Sequence, residues 1–168
     1  MAGADEWDRI WAPHRKQYLA DEAGAFTDET CPFCRSQETD DVSGLIVHRG
    51  SSAYVIMNKY PYASGHVMVC TTRHVALYDD LTAQERDEVA SLTQQAMRVL
   101  RRAARCAGFN IGMNQGAISG AGIAAHLHQH VVPRWGGDTN FMPVIGGTKV
   151  IPQLLEDSRA LLAEAWKA

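Results

Sequence analysis

Cysteine is scarce in this chain, four in 168 residues, too few for the disulfide framework that holds small secreted domains together. Apolar residues make up 46 % of the sequence, yet no stretch approaches the run of about 18 that a membrane span requires. The opening MAGADEWDRIWAPHRKQYLADEAG also lacks the apolar segment of a signal peptide. A soluble, cytoplasmic protein with no membrane partner is expected. Positive charge is not in excess either: 16 Lys and Arg against 19 Asp and Glu leave a net charge of −3. Such a balance gives no general attraction to a nucleic-acid backbone, so any phosphate recognition must be local. Repeats and low-complexity tracts are absent, and the length argues for one domain over residues 1–168.

Histidine is what the chain concentrates. Of seven, three fall at alternate positions in HLHQHVVPRW, residues 126–135. In an extended strand alternate side chains share a face, which puts His126, His128 and His130 together and turns Leu127, Gln129 and Val131 the other way. Two chemistries suit such a row. Imidazoles ligate metal ions, although the extra carboxylates that a hydrolytic metal centre uses do not follow His130. A neutral imidazole is also a nucleophile near pH 7, able to attack phosphorus without first losing a proton. The preceding NQGAISGAG favours the second, since at Gly116, Gly120 and Gly122 backbone N–H groups can approach phosphate oxygens unobstructed. The pair in CPFC, Cys31 and Cys34, reads as a metal site, a redox pair or unligated thiols. Cys70 and Cys106 stand in apolar surroundings and are expected to be buried thiols.

Along the chain, Trp7, Ile10, Trp11 and Tyr18 recur at near-helical spacing and predict a helix ending near Ala23-Gly24, within an N-terminal extension over 1–30. LIVHRG, SSAYVIMN and GHVMVCTT read as strands, the last two joined by the proline-containing KYPYAS. A long helix follows, opened by a Thr82/Glu85 capping box, striped by Val89, Leu92, Ala96, Val99 and Ala103, and stopped at Gly108. Arg101-Arg102 falls on its exposed side. FNIGMN is a further strand, then the histidine strand. A C-terminal helix over 152–168 is expected, with Pro152 in its first turn and Leu154, Leu155, Leu161 and Leu162 on one side. Hairpin strands interrupted by one long helix predict an α+β fold with a mainly antiparallel sheet.

NKYPYASGHVMVCTTRH, followed by NQGAISGAGIAAHLHQHVVPR, resembles the histidine-triad (HIT) family of nucleotidyl hydrolases and transferases. The tail VVPRWGGDTNFMPVIGGTKVIPQLLEDSRALLAEAW resembles in particular the actinobacterial diadenosine tetraphosphate phosphorylases within it. The resemblance implies a HIT-like α+β fold, one long helix packed on the sheet, and a homodimer whose two sheets join. It also implies a diadenosine polyphosphate substrate and inorganic phosphate as acceptor. By the same resemblance His128 attacks the α-phosphorus and is transiently nucleotidylated. His130 contacts the phosphate and assists proton movement, and His126 orients the nucleophile or ligates metal. Asn58 would hydrogen-bond the ribose, although turn entry is an equal reading of that residue, and Ile56 would floor the base pocket. A structural zinc would be held by Cys31, Cys34, His74 and His126. The phosphate loop departs from the pattern. Ala121 stands where many members have Gln, and the stretch from Asn114 to His126 is one residue longer. Phosphate contacts are therefore expected from Asn114, Ser119 and the backbone at Gly120, Ala121 and Gly122. Trp135 reads either as a residue near the phosphates or as a core or interface tryptophan. Hydrolysis of dinucleoside polyphosphates or nucleoside phosphoramidates is the alternative activity, and a nucleotide-binding regulatory module the remoter one.

Overall fold

A computed structural model describes residues 26–138 and 153–167. In chain order these form α1 (Pro32–Gln37), β1 (Ile46–Arg49), β2 (Ala53–Met57), β3 (Val67–Thr71), a 3₁₀ turn (Tyr78–Asp80), α2 (Ala83–Ala104), β4 (Gly108–Met113), a second 3₁₀ turn (Ala117–Ser119), β5 (His128–Arg134) and α3 (Leu155–Lys167). The five strands make one antiparallel sheet in the order β1-β2-β3-β5-β4. AYVIM and VMVCT, the sequences of β2 and β3, are buried at every position. Both faces of the sheet centre are thus covered, and the period of two sorts the side chains between them. Val55, Met57, Val67, Val69 and Val131 meet Val89, Leu92, Ala96, Val99 and Leu100 of α2. Tyr54, Ile56, Met68 and Cys70 face the other way, toward Cys31, Phe33 and Ile123. Burial of each large aliphatic side chain contributes about 1.5–3 kcal/mol, so the α2 face carries most of the stability and leaves the opposite face for a cavity.

The α2 N-terminus is held by the predicted capping box: the Glu85 N–H donates to Thr82 Oγ1 (3.2 Å) and the Thr82 N–H to Glu85 Oε2 (2.9 Å). Arg73, from the loop after β3, adds two bonds to the same carboxylate, each 2.8 Å. The Arg73 guanidinium, foremost, lowers Glu85 from 4.5 to about 2. A depressed carboxylate stabilises the fold above its unfolded pKa, and the contribution fades as pH falls toward the folded one. Glu85→Gln is therefore expected to cost about 1–2 kcal/mol at pH 7. That deficit should shrink between about pH 4.5 and 2. Urea melts of both proteins at pH 7 and pH 3 check this; equal deficits at the two pH values would refute it.

Two expectations are corrected. Helix α2 ends at Ala104, capped by Arg105 in the left-handed region (φ 50°), whose N–H donates to the Arg101 carbonyl (3.1 Å). Gly108 is not its stop but the first residue of β4, paired with Arg134. The chain must turn early because the Ala107 N–H already joins the Arg134 carbonyl (2.8 Å). In α3 the buried positions are Ser158, Leu162 and Trp166, spaced by four, while Leu154 and Leu161 are exposed. The packing face is set by Trp166, which stacks on His48 of β1 at 4.8 Å. Arg101 and Arg102 are exposed as expected, but occupied. Arg101 lies over the Phe109 ring, and Arg102 donates to the Ala165 carbonyl (2.6 Å). The predicted N-terminal helix and Pro152 lie outside the described residues.

Candidate active site

Strand register builds the site. His130 on β5 pairs with Met68, Met68 with Ile56 on β2, and Ile56 with Ile46 on β1. One row of side chains thus runs across the sheet from imidazole to apolar floor. All of this row but the buried Ile46 lines a cavity of about 720 Å³, with His128 and His130 at one end, Ile56 and Met68 beneath, and Asn58 and Asn114 at the side. His126 precedes the regular part of β5, and the Phe33 ring stands between it and the other two histidines. The Phe33 ring lies 5.4 Å from His126 and 5.0 Å from His128, and His128 lies 5.0 Å from His130.

Hydrogen bonding sets the proton on each ring. A carbonyl can only accept, so His128 Nδ1 carries its proton toward the His126 carbonyl (2.8 Å), which leaves the lone pair on Nε2. Burial, the larger effect, lowers the His128 pKa against that hydrogen bond and keeps the ring neutral. For His130 the tautomer is set from the backbone. The Tyr62 N–H donates to His66 Nδ1 (3.0 Å), so the His66 proton sits on Nε2 and is donated to His130 Nδ1 (3.0 Å). His130 in its neutral form then carries its own proton on Nε2. The site therefore sets a lone-pair nitrogen on His128 beside an N–H donor on His130, an arrangement chemically suited to displacement at phosphorus.

The ring of His126 is not in the cavity wall, and what this residue offers His128 is its backbone carbonyl. Its Nε2 donates to the Thr71 carbonyl (2.8 Å), and Nδ1 faces Cys31 Sγ (3.4 Å) and Cys34 Sγ (3.5 Å). His74 Nδ1 lies 3.3 Å from Cys34 Sγ. All four ligand atoms fall within 4.8 Å of one another. Tetrahedral bonds of about 2.3 Å to sulfur and 2.0–2.1 Å to nitrogen separate S and N ligands by roughly 3.6 Å, so the cluster has the dimensions to hold a metal ion. Burial above all lowers His126 to about 4, leaving it the neutral ligand form, while burial and the adjacent Cys31 push the Cys34 thiol up to about 12. A bound cation would relieve that crowding of thiols. The same segment forms the cavity wall: between the two cysteines, Pro32 and Phe33 line it, and Tyr54 OH donates to the Phe33 carbonyl (2.8 Å).

Of the residues singled out in the sequence, Ile56, Asn58, Asn114 and Gly122 line the cavity with His128 and His130. Asn58 is also a turn-entry residue, its Oδ1 accepting from the Tyr60 N–H (2.9 Å). Ser119, Gly120 and Ala121 are not in the wall. Ser119 Oγ donates back to the Gly116 carbonyl (2.7 Å), and Ala121 is buried beneath, so Gly122 takes the place at the cavity expected for Ala121. The loop leaves Asn114 through Gly116 at φ 77°, a conformation that favours glycine. Trp135 lies with the core, its Nε1 donating to the Ala104 carbonyl (3.0 Å). Sequence reasoning did not single out His66 or Phe33. The alternation His66, Met68, Cys70 would have placed His66 on the face of the triad, whereas nothing in CPFC announces that its Phe packs on His128.

Comparison with known proteins gives consistent results. A family model described as HIT domain matches residues 41–137. The chain is 46 % identical to a Mycobacterium tuberculosis protein named AP-4-A phosphorylase, over 96 % of this chain and 86 % of that protein. A zinc-bound histidine triad family protein from Mycobacterium smegmatis superposes with a TM-score of 0.65 at 24 % identity, covering 84 % of this chain and 96 % of its own. A histidine triad nucleotide-binding protein from Sulfolobus tokodaii gives 0.66 at 23 % identity, covering 82 % and 92 %. These two likenesses bear on the fold.

Proposed function

The chain belongs to the histidine-triad (HIT) family, and from that premise we propose that it cleaves diadenosine tetraphosphate with inorganic phosphate, giving ADP and ATP. The observation that carries the chemistry is the His128 ring, locked by the His126 carbonyl with Nε2 as its lone-pair nitrogen in the cavity. The choice of substrate draws on the named phosphorylase relative. In the first displacement His128 Nε2 bonds to the α-phosphorus. The bridging P–O bond breaks, and its electron pair leaves with ATP. His130 Nε2–H hydrogen-bonds the oxygen that gains charge, held in that tautomer by His66 and the Tyr62 N–H. In the second, an oxygen of hydrogenphosphate attacks the same phosphorus. The P–N bond breaks, its electron pair returns to His128, ADP departs and the phosphate's proton goes to solvent.

Asn58 would hold the ribose hydroxyls and Ile56 the face of the base. Gly122, the residue of that loop in the cavity wall, carries no side chain and leaves room beside the histidines for a phosphate ion, which an enclosed cradle favours over bulk water. The bound metal is proposed to be zinc, held by Cys31, Cys34, His74 and His126. As a closed four-ligand site it would supply structural cross-linking. A homodimer is proposed through β4, the sheet edge, where Ile111 is 45 % exposed; sedimentation would find a monomer if this is wrong.

The acceptor is tested by chromatography of products formed from diadenosine tetraphosphate with and without millimolar inorganic phosphate. ADP plus ATP, at a rate rising with phosphate, is expected. AMP plus ATP at millimolar phosphate would make the protein a hydrolase.

A further inference from the structure

The cavity lining contains two formally charged side chains besides its histidines, Lys59 and Glu156. Lys59 directly follows Asn58. Glu156 comes from a different element, the first turn of α3. That helix packs on β1 and α2, and β1 is three strands from β5 in the sheet. At about 4.8 Å per strand, the β1 end of the cavity is roughly 14 Å from the histidine strand, comparable to the length of a nucleoside monophosphate. With the phosphorus at His128, this end receives the outer edge of the base.

The surroundings there are apolar and fixed. Leu45, Ile56, Met57 and Leu155 line that end, and the Leu45 carbonyl accepts from the Met57 N–H (2.9 Å). Asp40 clamps the adjoining loop by accepting from the Val42 and Ser43 N–H groups (2.9 and 3.0 Å). A Cβ on Gly44 would stand 2.6 Å from the Ser36 carbonyl oxygen, so the rim sits hard against α1. The carboxylates of Glu85 and Glu88 are occupied, by Arg73 and by Ser51 and Ser52. Glu156 has no hydrogen-bond partner among the described residues. An ionised carboxylate only accepts, so its complement is an N–H donor on the base edge. We infer that Glu156 is a specificity-determining residue that accepts from the exocyclic amino group of a purine and discriminates against bases lacking it. The inference rests on the nucleotide reading above.

The test measures binding without turnover. The full chain is titrated calorimetrically with AMP and with purine riboside 5′-monophosphate, which lacks only the 6-amino group. A partly exposed hydrogen bond to a charged acceptor corresponds to about a tenfold preference for AMP. In Glu156→Ala that ratio should fall to near one, while Glu156→Gln, which keeps an acceptor oxygen, should retain part of it. Melting temperatures should be unchanged, because Glu156 is exposed. A wild-type ratio near one, or an unchanged ratio in Glu156→Ala, overturns the inference and leaves the nucleotide reading intact. Failure of the wild type to bind either nucleotide overturns both.

Discussion

Replacement of His128 by glycine or asparagine is expected to lower turnover of diadenosine tetraphosphate by at least about 10³-fold, with the fold and nucleotide affinity nearly unchanged. Loss of a covalent nucleophile removes the whole double displacement, and the binding groups around it can supply only what orientation gives. The fold should survive because the β5 backbone, not the imidazole, holds the strand between β3 and β4. The affinity should survive because Ile56, Asn58 and Met68 line the cavity independently of the ring. His130→Ala should be impaired less, since it removes one hydrogen bond to developing charge, worth about 10²-fold. Single-turnover mixing with acid quench should trap an adenylated chain in the wild type and none in the His128 variants. Activity within tenfold of the parent in His128→Gly would exclude His128 as the nucleophile.

The second large effect is expected at the cysteine pair. Zinc should be present at about one per chain, and Cys31→Ser/Cys34→Ser should abolish it. A metal in this cluster would tie α1 to His74 after β3 and to His126 ahead of β5, segments distant in the chain. Its loss should cost about 3 kcal/mol or more, a fall in Tm of roughly 6–12 °C for a chain of this size. The nucleotide site should suffer too, because Phe33 lies between the two cysteines and packs 5.0 Å from His128. Metal analysis and thermal melts of untagged protein, before and after chelation, provide the readout. A wild type without metal, or a serine double variant with unchanged zinc, would remove the site.

Much of this was legible along the chain because it is written in local periods. The alternation of His126, His128 and His130 predicted a shared face, and the Thr82/Glu85 box marked the start of α2 to the residue. The β2 and β3 segments were recognisable from their apolar, β-branched runs. The resemblance to the HIT family brought Cys31, Cys34, His74 and His126 into one ligand set, which spacing alone left open, and their side chains do converge.

What periodicity could not supply is anything that depends on two distant segments meeting. The stop of α2 at Ala104 follows from Ala107 pairing with Arg134, a contact invisible in the helix's own residues. The buried face of α3 follows from the Trp166 stack on His48 rather than from the leucine count. The roles of the histidines divide in the same way. Residue type and alternation were enough to expect a nucleophilic imidazole on the histidine strand. Which nitrogen of His128 is free, and which of His130 carries the proton, rests on the His126 carbonyl and on the relay from Tyr62 through His66, because a tautomer is chosen by partners that only the folded sheet brings within 3.0 Å.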